Sequence, residues 1–434
     1  MRTAACIAFA LLAVSGCART GQRSADAAVV DDGGSSDDGG TGGGGAGGGG
    51  AGGAGGGSGG DLAAPCTTRI DYGSAWIHPA GHTASFDVTD GVVTWDRTCH
   101  DDGASSYALL SNGWKPYFTG NGACSLTLDY AACGVYANPV IPTGCADPGV
   151  VRDGSRWVVA CTSGNAADAF PIHVSTDLVH FAPMGHILPS AAKPAWAVSD
   201  FWAPEIHRVG AQWVAYFTAR GSDGKLAIGA ATAPASTGPF TALVAPLVHD
   251  ANMGLIDATE FEAADGSKYL LWKEDGNAVG KPTPIHGQPL AADGLSLTGS
   301  PSTLITNDQA WEGAVVEGPW LVAHGGAYWL FYSGNSYANA TYAVGVARAT
   351  SPLGPYTTAA APIVTSTGPW VGPGHCSVVD GPGGETMMLY HAWASGHVNG
   401  PGDARLMLAD RVAWAASGWP TLPAAPSVAT QPLP

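Results

Sequence analysis

The stretch GAYWLFYSG, residues 326–334, is one of five related stretches that decide the fold of this 434-residue chain. Each stretch opens with a turn glycine, continues with two variable residues and then enters an apolar strand at a bulky residue. The other four are GSRWVVACT (154–162), GAQWVAYFT (210–218), GSKYLLW (266–272) and GETMMLYHA (384–392). The opening glycines are 56, 56, 60 and 58 residues apart, a period typical of propeller and solenoid repeats.

The composition of the repeats identifies the fold class. They are rich in β-branched and aromatic residues and show no helical periodicity, which excludes helical solenoids. Charged residues make up only 12% of the chain, and its 63 glycines and 15 tryptophans suit an all-β protein with many tight turns. The sequence therefore predicts a five-bladed β-propeller with four strands in each blade, over residues 135–425.

Ionisable side chains precede the repeat glycines at a nearly constant distance. Asp257, Glu317 and His375 each stand nine residues before their glycine, and Asp147 stands seven before its own. A shift of two residues keeps a strand side chain on the same face. Four blades thus place an ionisable group on the innermost strand, which lines the central cavity of a propeller. Carboxylates are rarely buried without a reason, so three at equivalent positions favour a functional role over turn capping or blade bracing.

Three convergent carboxylates suit the hydrolysis of glycosidic bonds. One carboxyl group must be protonated to assist the leaving oxygen, and another must be ionised to activate water or attack carbon. Negative neighbours raise the pKa of a carboxylic acid, so a third carboxylate can keep the acid protonated and orient it.

The runs that carry these residues resemble glycoside hydrolase family 43. They are ADPGVV from Ala146, DFWAPEIHRVGAQWVAYF from Asp200, IDATEF at 256–261, WEGAVVEGPW at 311–320, GPGHCSVV from Gly372 and RVAWAASGWP at 411–420. The resemblance spans nearly all of residues 138–420 and implies a five-bladed propeller that acts with inversion. It implies Asp147 as general base, Glu317 as general acid and Asp257 as the residue that tunes and orients the acid. Inversion requires base and acid about 6.5–9.5 Å apart.

Further residues near these motifs are candidates for sugar contacts. Trp202 is the preferred platform for a sugar ring, and Trp320 and Trp311 are others, with packing in the blade cores as the alternative. Arg405 is a candidate to contact sugar hydroxyls or, alternatively, a structural cation between blades. Glu205 is expected to brace a turn.

His375 is similar to the cavity histidine that in some family members helps to hold calcium or another ion with mostly water ligands. We therefore expect no required cofactor, with a calcium ion near His375 as the candidate ligand of the central cavity. A histidine that only makes hydrogen bonds there is the alternative. Cys376 follows it, where similar sequences often have a small or polar residue.

The N-terminus reads as an export signal over residues 1–17. Arg2 supplies a positive charge, a short apolar stretch follows, and Val14-Ser15-Gly16-Cys17 resembles the bacterial lipoprotein processing box. This predicts lipidation of Cys17 and anchoring to the cell envelope, with an ordinary secretory signal as the alternative. Residues 18–64 end in nearly pure glycine and are expected to form a flexible tether.

Residues 65–134 are predicted to form a small disulfide-braced β domain of unknown role. The alternating run TASFDVTDGVVTWDR, with a turn at Asp90-Gly91, and four cysteines support this interpretation. An exported chain makes disulfides plausible. The pairs that we expect, one connectivity among several, are Cys66–Cys99, Cys124–Cys133 and Cys145–Cys161, which leaves Cys376 free.

The net charge and the motifs indicate which class of substrate the protein binds. A net charge of −17 argues against nucleic acid and favours a neutral polysaccharide or oligosaccharide. The runs LWKEDGN, WEGAVVEGPW and GPGHCSV favour arabinose-containing glycans, cleaved by an α-L-arabinofuranosidase or an arabinanase. A β-xylosidase, a galactanase, a retaining sucrose or fructan enzyme and a catalytically silent carbohydrate-binding propeller stay open as alternatives.

Overall fold

The computed structural model describes residues 135–434, apart from 416–417, 424 and 429–430, and the backbone of four short strands nearer the N-terminus. The chain divides into two compact units, and the larger includes Ala137–Val428. Within that unit the described residues form five four-stranded antiparallel sheets, which we call blades I to V. The predicted all-β, five-bladed propeller is confirmed.

The blades follow one another along the chain, and each is a simple meander. Blade I contains Gly149–Asp153, Arg156–Ala160, Ala169–Ser175 and Ala182–Leu188. Blade II contains Ala197–Val209, Gln212–Gly221, Leu226–Ala233 and Thr241–Ala242. Blade III contains Leu255–Glu262, Lys268–Glu274, Ile285–Leu290 and Ser302–Ile305. Blade IV contains Val316–His324, Ala327–Gly334, Ala343–Ala349 and Thr357–Thr358. Blade V contains Trp370–Asp380, Thr386–Ala394, Leu406–Trp414 and Pro420–Thr421.

The first strand of each blade is the innermost. The first strands of neighbouring blades contact one another around the ring, and that of blade V contacts that of blade I, which closes the propeller. The repeat glycines lie in the turns between first and second strands, as predicted. Gly154, Gly210 and Gly326 adopt φ of 64°, 60° and 76°, a left-handed conformation that glycine reaches without steric cost.

Apolar side chains fill the space between consecutive blades. Blades I and II share a cluster around Phe170, Phe201 and Phe217. The centroid of the Phe170 ring lies 5.8 Å from that of Phe201 and 5.2 Å from that of Phe217. Blades IV and V share a cluster that includes Trp320 and Trp370. Burying each such side chain stabilises the fold by roughly 1.5–3 kcal/mol, so the positions of the inner strands are held by well-packed blade interfaces.

The chain that leads into blade I is attached to blade V. Asn138 Nδ2 donates to Ala409 O at 3.2 Å, and Ile141 forms a bridge with Met407. A disulfide joins Cys145 to Cys161, which confirms that predicted pair. Among the described cysteines, Cys376 is free and buried, as expected.

The remaining elements are short. Single-turn 3-10 helices cover Ser190–Ala192, Gly276–Val279 and Ala310–Glu312. Two-residue strands Val135–Tyr136 and Gln431–Pro432 pair with each other. Nearer the N-terminus, Phe86–Thr89 pairs with Val92–Trp95, and Lys115–Thr119 pairs with Ser125–Asp129.

Several predictions about the N-terminal region lie outside the described residues. They are the signal over 1–17 with Cys17, the tether over 18–64, and the disulfides Cys66–Cys99 and Cys124–Cys133. In the part of the chain that the structure describes, no helix is long and apolar enough to cross a bilayer.

Candidate active site

The four ionisable residues that the sequence singled out converge at one end of the innermost strands. Asp257, Glu317 and His375 lie on the first strands of blades III, IV and V, and Asp147 precedes the first strand of blade I by two residues. His375 Nδ1 lies 3.3 Å from Asp147 Oδ1 and 4.0 Å from Asp257 Oδ2. The repeat-based prediction that these side chains meet near the axis is therefore confirmed.

The backbone is strained where these side chains leave the strands. Asp147, Asp257 and His375 have φ of 51°, 59° and 47°, and Gly318, which follows Glu317, has φ of 59°. Non-glycine residues seldom adopt this left-handed conformation, and such strain clusters at functional sites. In blade II the position that corresponds to Asp147, seven residues before the repeat glycine, belongs to Ala203, with φ of 41°. This blade therefore contributes a methyl group where the others contribute ionisable side chains.

Side chains of the preceding blade hold the peptide groups of four strained residues, Asp147, Ala203, Asp257 and His375. The backbone N–H in each case donates to an oxygen or nitrogen near the end of the second strand of that blade. The pairs are Asp257 to Thr218 Oγ1 at 3.1 Å, His375 to Ser333 Oγ at 2.7 Å, Ala203 to Thr162 Oγ1 at 2.7 Å and Asp147 to His391 Nδ1 at 3.1 Å. Sequence reasoning missed all four of these supporting residues.

Asp147 is held in its ionised form. Arg405 Nη1 donates to its Oδ1 at 2.7 Å, and the Thr162 hydroxyl donates to its Oδ2 at 2.7 Å. Burial raises the pKa of Asp147, but Arg405 and His375 outweigh burial and hold that pKa well below the usual range. Burial and Arg405 lower the pKa of His391 to about 4, which leaves a neutral ring able to accept the Asp147 N–H.

His375 lies between two carboxylates. Burial lowers its pKa, but Asp147 and Asp257 outweigh burial, so the net change is upward. Among the described residues, no group of three or more His, Cys, Asp or Glu side chains could hold a metal ion. A calcium ion near His375 would therefore depend mostly on water ligands, and it stays a prediction.

Glu317 is held at both carboxylate oxygens. Lys273 Nζ donates to Oε2 at 2.9 Å, and the Tyr342 hydroxyl donates to Oε1 at 2.8 Å. Burial raises the pKa of Glu317, but the Lys273 ammonium and these hydrogen bonds outweigh it, so the net change is downward. The signal for Lys273 in the sequence is a cation directly after the apolar run YLLW.

The pKa of Asp257 changes in the opposite direction to that of Glu317. Burial, with the Glu317 charge, raises the pKa of Asp257 to about 7, while its Oδ2 accepts the N–H of Gly318 at 3.0 Å. From the sequence we expected neighbouring carboxylates to raise the pKa of Glu317. In the structure the pKa of Glu317 is lowered and that of Asp257 is raised, because Lys273 contacts Glu317 directly.

The tryptophans that the sequence suggested as sugar platforms differ in their exposure. Trp202 is partly exposed, lies beside Ala203 and is paired with Thr218, so its sugar contact stays a prediction. The prediction for Trp320 is wrong: its side chain lies in the core between blades IV and V, and its Nε1 donates to Val378 O at 2.9 Å. Trp311 likewise packs against Tyr332 and Gly345 within blade IV.

A second buried polar cluster lies further along the inner strands. His207 Nε2 is 2.9 Å from Glu205 Oε2, and His207 Nδ1 is 3.4 Å from Glu260 Oε2. Lys268 Nζ lies 3.6 Å from Glu260 Oε1. Glu205, expected to brace a turn, is thus part of an ionic link between blades II and III.

Comparisons with known proteins agree with this geometry. The model of glycosyl hydrolases family 43 matches residues 136–420. An extracellular exo-alpha-(1->5)-L-arabinofuranosidase of Streptomyces avermitilis is 27% identical over 210 residues, which are 44% of this chain and 43% of that enzyme. A beta-D-galactofuranosidase of Aspergillus niger is 26% identical over 276 residues, 58% of this chain and 75% of that enzyme. This chain thus aligns with less than half of the Streptomyces enzyme.

A solved structure gives the same result. A thermostable family-43 glycoside hydrolase superposes with a TM-score of 0.60 at 32% identity, over 66% of this chain and 96% of that one. The family model covers well over half of the chain and contains every residue of the convergent site. The chain belongs to glycosyl hydrolases family 43 and has the fold of a five-bladed propeller.

Proposed function

We propose that this protein hydrolyses α-L-arabinofuranosyl linkages of arabinose-containing plant glycans with inversion of the anomeric configuration. The observation that carries the proposal is the convergence of Asp147, Asp257 and Glu317 around His375 at one end of the propeller. Three buried carboxyl groups with different protonation states are what acid–base cleavage of a glycosidic bond requires.

Asp147 is the proposed general base. Its contacts with Arg405 and Thr162 keep it ionised, so it can take a proton from water as the water oxygen bonds to the anomeric carbon. Glu317 is the proposed general acid, which gives a proton to the leaving oxygen as the glycosidic bond breaks. Asp257, whose Oδ2 accepts the N–H of Gly318 beside Glu317, orients the acid and shares the proton of the pair.

The choice of sugar rests on the relatives. The Streptomyces avermitilis enzyme is an arabinofuranosidase and the Aspergillus niger enzyme a galactofuranosidase, so both act on furanosides by name. α-L-arabinofuranose and β-D-galactofuranose share their ring configuration and differ by an exocyclic hydroxymethyl group. We therefore place arabinofuranosides first and β-xylosides, which carry a six-membered ring, second.

Export is part of the proposal. The Streptomyces avermitilis relative is described as extracellular, which supports the signal that the N-terminal sequence predicts. Lipidation of Cys17 would retain the enzyme at the cell envelope. Labelling with a radioactive fatty acid in the native host tests this, because a Cys17→Ala variant should lose the label.

The decisive experiment measures sugar release by the protein and by Glu317→Gln. Substrates are linear and branched arabinan, arabinoxylan, xylan, galactan, and 4-nitrophenyl glycosides of arabinofuranose, galactofuranose and xylose, with product anomers followed by NMR. Glu274→Gln is the matched control, since Glu274 lies on the adjacent strand but pairs with His286 at 3.0 Å.

We expect the protein and the control to release arabinose whose anomeric configuration is inverted relative to the substrate. Glu317→Gln should release almost no arabinose from the glycans. Release of xylose alone would contradict the arabinofuranosidase and favour the β-xylosidase. Retained anomeric configuration would contradict the base and acid assignment. Binding of a glycan without any release would leave a silent carbohydrate-binding propeller.

A further inference from the structure

Lys273 is a buried cation whose contacts converge on Glu317. It lies on the second strand of blade III, and its side chain is 1% exposed. Its Nζ is 2.9 Å from Glu317 Oε2 and 3.2 Å from Asp275 Oδ1. An ammonium this deeply buried is costly unless it is paired. The local structure therefore depends on the contact between Lys273 and the two carboxylates.

The other oxygen of Glu317 is held by a side chain that has little freedom. The Tyr342 hydroxyl donates to Oε1 at 2.8 Å, and the Tyr342 ring stacks on His391 with 9° between the ring planes. Gly374 packs so closely that an added Cβ would lie 1.9 Å from Tyr342 Cε1. Because Lys273 and Tyr342 bind different oxygens, together they fix the plane of the Glu317 carboxyl group.

Blade III also holds the backbone beside Glu317. Thr283 Oγ1 accepts the N–H of Val316 at 2.8 Å. Thr283 and Asp275 lie on the same segment between the second and third strands of blade III. This segment and Lys273 thus contact the main chain of the residue before the proposed acid and the side chain of the acid itself.

We propose that Lys273 is a positioning residue for proton donation by Glu317, and this rests on the proposed function because it presupposes Glu317 as the general acid. Lys273 fixes the direction in which the carboxyl group presents its proton. When the proton passes to the leaving oxygen and the glycosidic bond breaks, Glu317 becomes a carboxylate, and the ammonium stabilises the charge that forms.

The balance of charge around Glu317 supports this role. Asp257 faces it from blade III, where Asp275 contacts Lys273, Tyr342 lies against it from blade IV, and His375 faces it from blade V. Lys273 makes the direct ionic contact with Glu317. Its charge is the largest influence that lowers the pKa of Glu317, so removal of that charge should make Glu317 a weaker acid.

The effect of losing Lys273 should depend on the leaving group of the substrate. A sugar leaving group is a strong base and needs protonation as the bond breaks, whereas a dinitrophenolate departs with little help. A defect in proton donation is therefore large on a glycan and small on a dinitrophenyl glycoside. A defect in folding or sugar binding would affect both substrates equally.

The experiment compares Lys273→Met with Lys281→Met in the full-length protein. Lys281 is an exposed lysine on the segment that follows Lys273, so the control removes the same charge without contacting Glu317. Rates are measured on an arabino-oligosaccharide and on 2,4-dinitrophenyl α-L-arabinofuranoside across pH. For Lys273→Met we expect a loss of about 10²-fold on the oligosaccharide and less than about 10-fold on the aryl glycoside. The basic limb of kcat/KM should move to higher pH.

Asp275→Asn keeps the proposal testable if Lys273→Met does not fold. Without the Asp275 charge, the field of Lys273 at Glu317 is less opposed, so the basic limb should move to lower pH. Equal losses on both substrates with an unmoved basic limb in Lys273→Met would overturn the positioning role, and so would an unmoved limb in a folded Asp275→Asn. Full activity of Glu317→Gln on glycans would instead contradict the assignment of Glu317 as the general acid, and with it the proposed function.

Discussion

Arg405 Nη1 lies 2.7 Å from Asp147 Oδ1, so the cation that the sequence offered as a sugar contact binds the proposed general base. The Arg405 guanidinium also lies over the ring of Tyr337, 4.8 Å from its centroid. Its side chain is 15% exposed, which limits the water that could screen this pair. Arg405 is therefore placed to set the pH at which Asp147 becomes ionised.

Replacement of Arg405 should move the acid limb of the pH profile. In Arg405→Gln the pKa of Asp147 is expected to rise, because its main positive neighbour is lost. The acid limb of kcat/KM should shift to higher pH, with a drop of roughly 10-fold or more at pH 5. Arg152→Gln, on the exposed part of blade I, is the control. An acid limb that does not move would show that Asp147 is not the titrating base.

The Thr218 hydroxyl should matter more than its methyl group. Thr218→Val is nearly isosteric but leaves the strained N–H of Asp257 without its acceptor, which should cost about 1–3 kcal/mol in the free energy of unfolding. Thr218→Ser keeps the acceptor and should retain most activity. Urea denaturation and kcat measure the two effects. Equal behaviour of both variants would mean that the hydrogen bond does not position Asp257.

Removal of the Asp257 charge should stabilise the fold and abolish activity. The folded-state pKa of Asp257 is raised to about 7, so its ionisation destabilises the native state as pH rises from the unfolded-state pKa near 4 to that value. Asp257→Asn should therefore raise the free energy of unfolding at pH 8 by a few kcal/mol, at about 1.4 kcal/mol per pK unit. At pH 4 the difference should nearly vanish. A destabilised variant at pH 8 would contradict this account.

The link between blades II and III should weaken as pH rises. Burial lowers the pKa of His207, but the hydrogen bond to Glu205 and the charge of Glu260 outweigh burial and raise it, with Lys268 opposing them. The stability from protonated His207 is present below the unfolded-state pKa near 6.5 and is lost as pH rises through the folded-state value. The melting temperature should fall between pH 6 and pH 9. That fall should be smaller in His207→Gln and unchanged in His186→Gln, a control on the exposed strand of blade I.

The disulfide between Cys145 and Cys161 should support catalysis as well as stability. It brackets the hydrogen bond between Thr162 and Asp147, since each cysteine lies within two residues of one partner. Loss of a crosslink that spans 16 residues should cost about 3 kcal/mol. The double variant Cys145→Ala, Cys161→Ala should melt at lower temperature and lose activity faster on warming. Unchanged melting would show that the surrounding hydrogen bonds suffice.

The sequence predicted the ring and the inner-strand residues because both are periodic. The repeat glycines mark the turns, and the constant distance from Asp257, Glu317 and His375 to those glycines places the three side chains at matching heights in successive blades. The closure of a ring then brings matching positions together. The same reasoning left out Ala203, because a methyl group at that height carries no chemical signal.

What failed were predictions about side chains without such a register. Trp320 stands three residues after Glu317. The alternation of side chains along a strand does not show how a bulge changes the direction of a side chain, nor against which blade that side chain packs. The structure has a register shift between Glu317 and Trp320, and the indole packs between blades.

The sequence by itself thus determined the fold class, the number of blades and the identity of the convergent carboxylates, since local patterning repeated five times leaves few architectures. The tertiary structure alone decided the protonation pattern of the site. Lys273 and His391 reach it from second strands, and Tyr342 and Arg405 reach it from the residues directly before third strands. Coulomb interactions depend on distances across blade interfaces, and no pattern along a single chain specifies those distances.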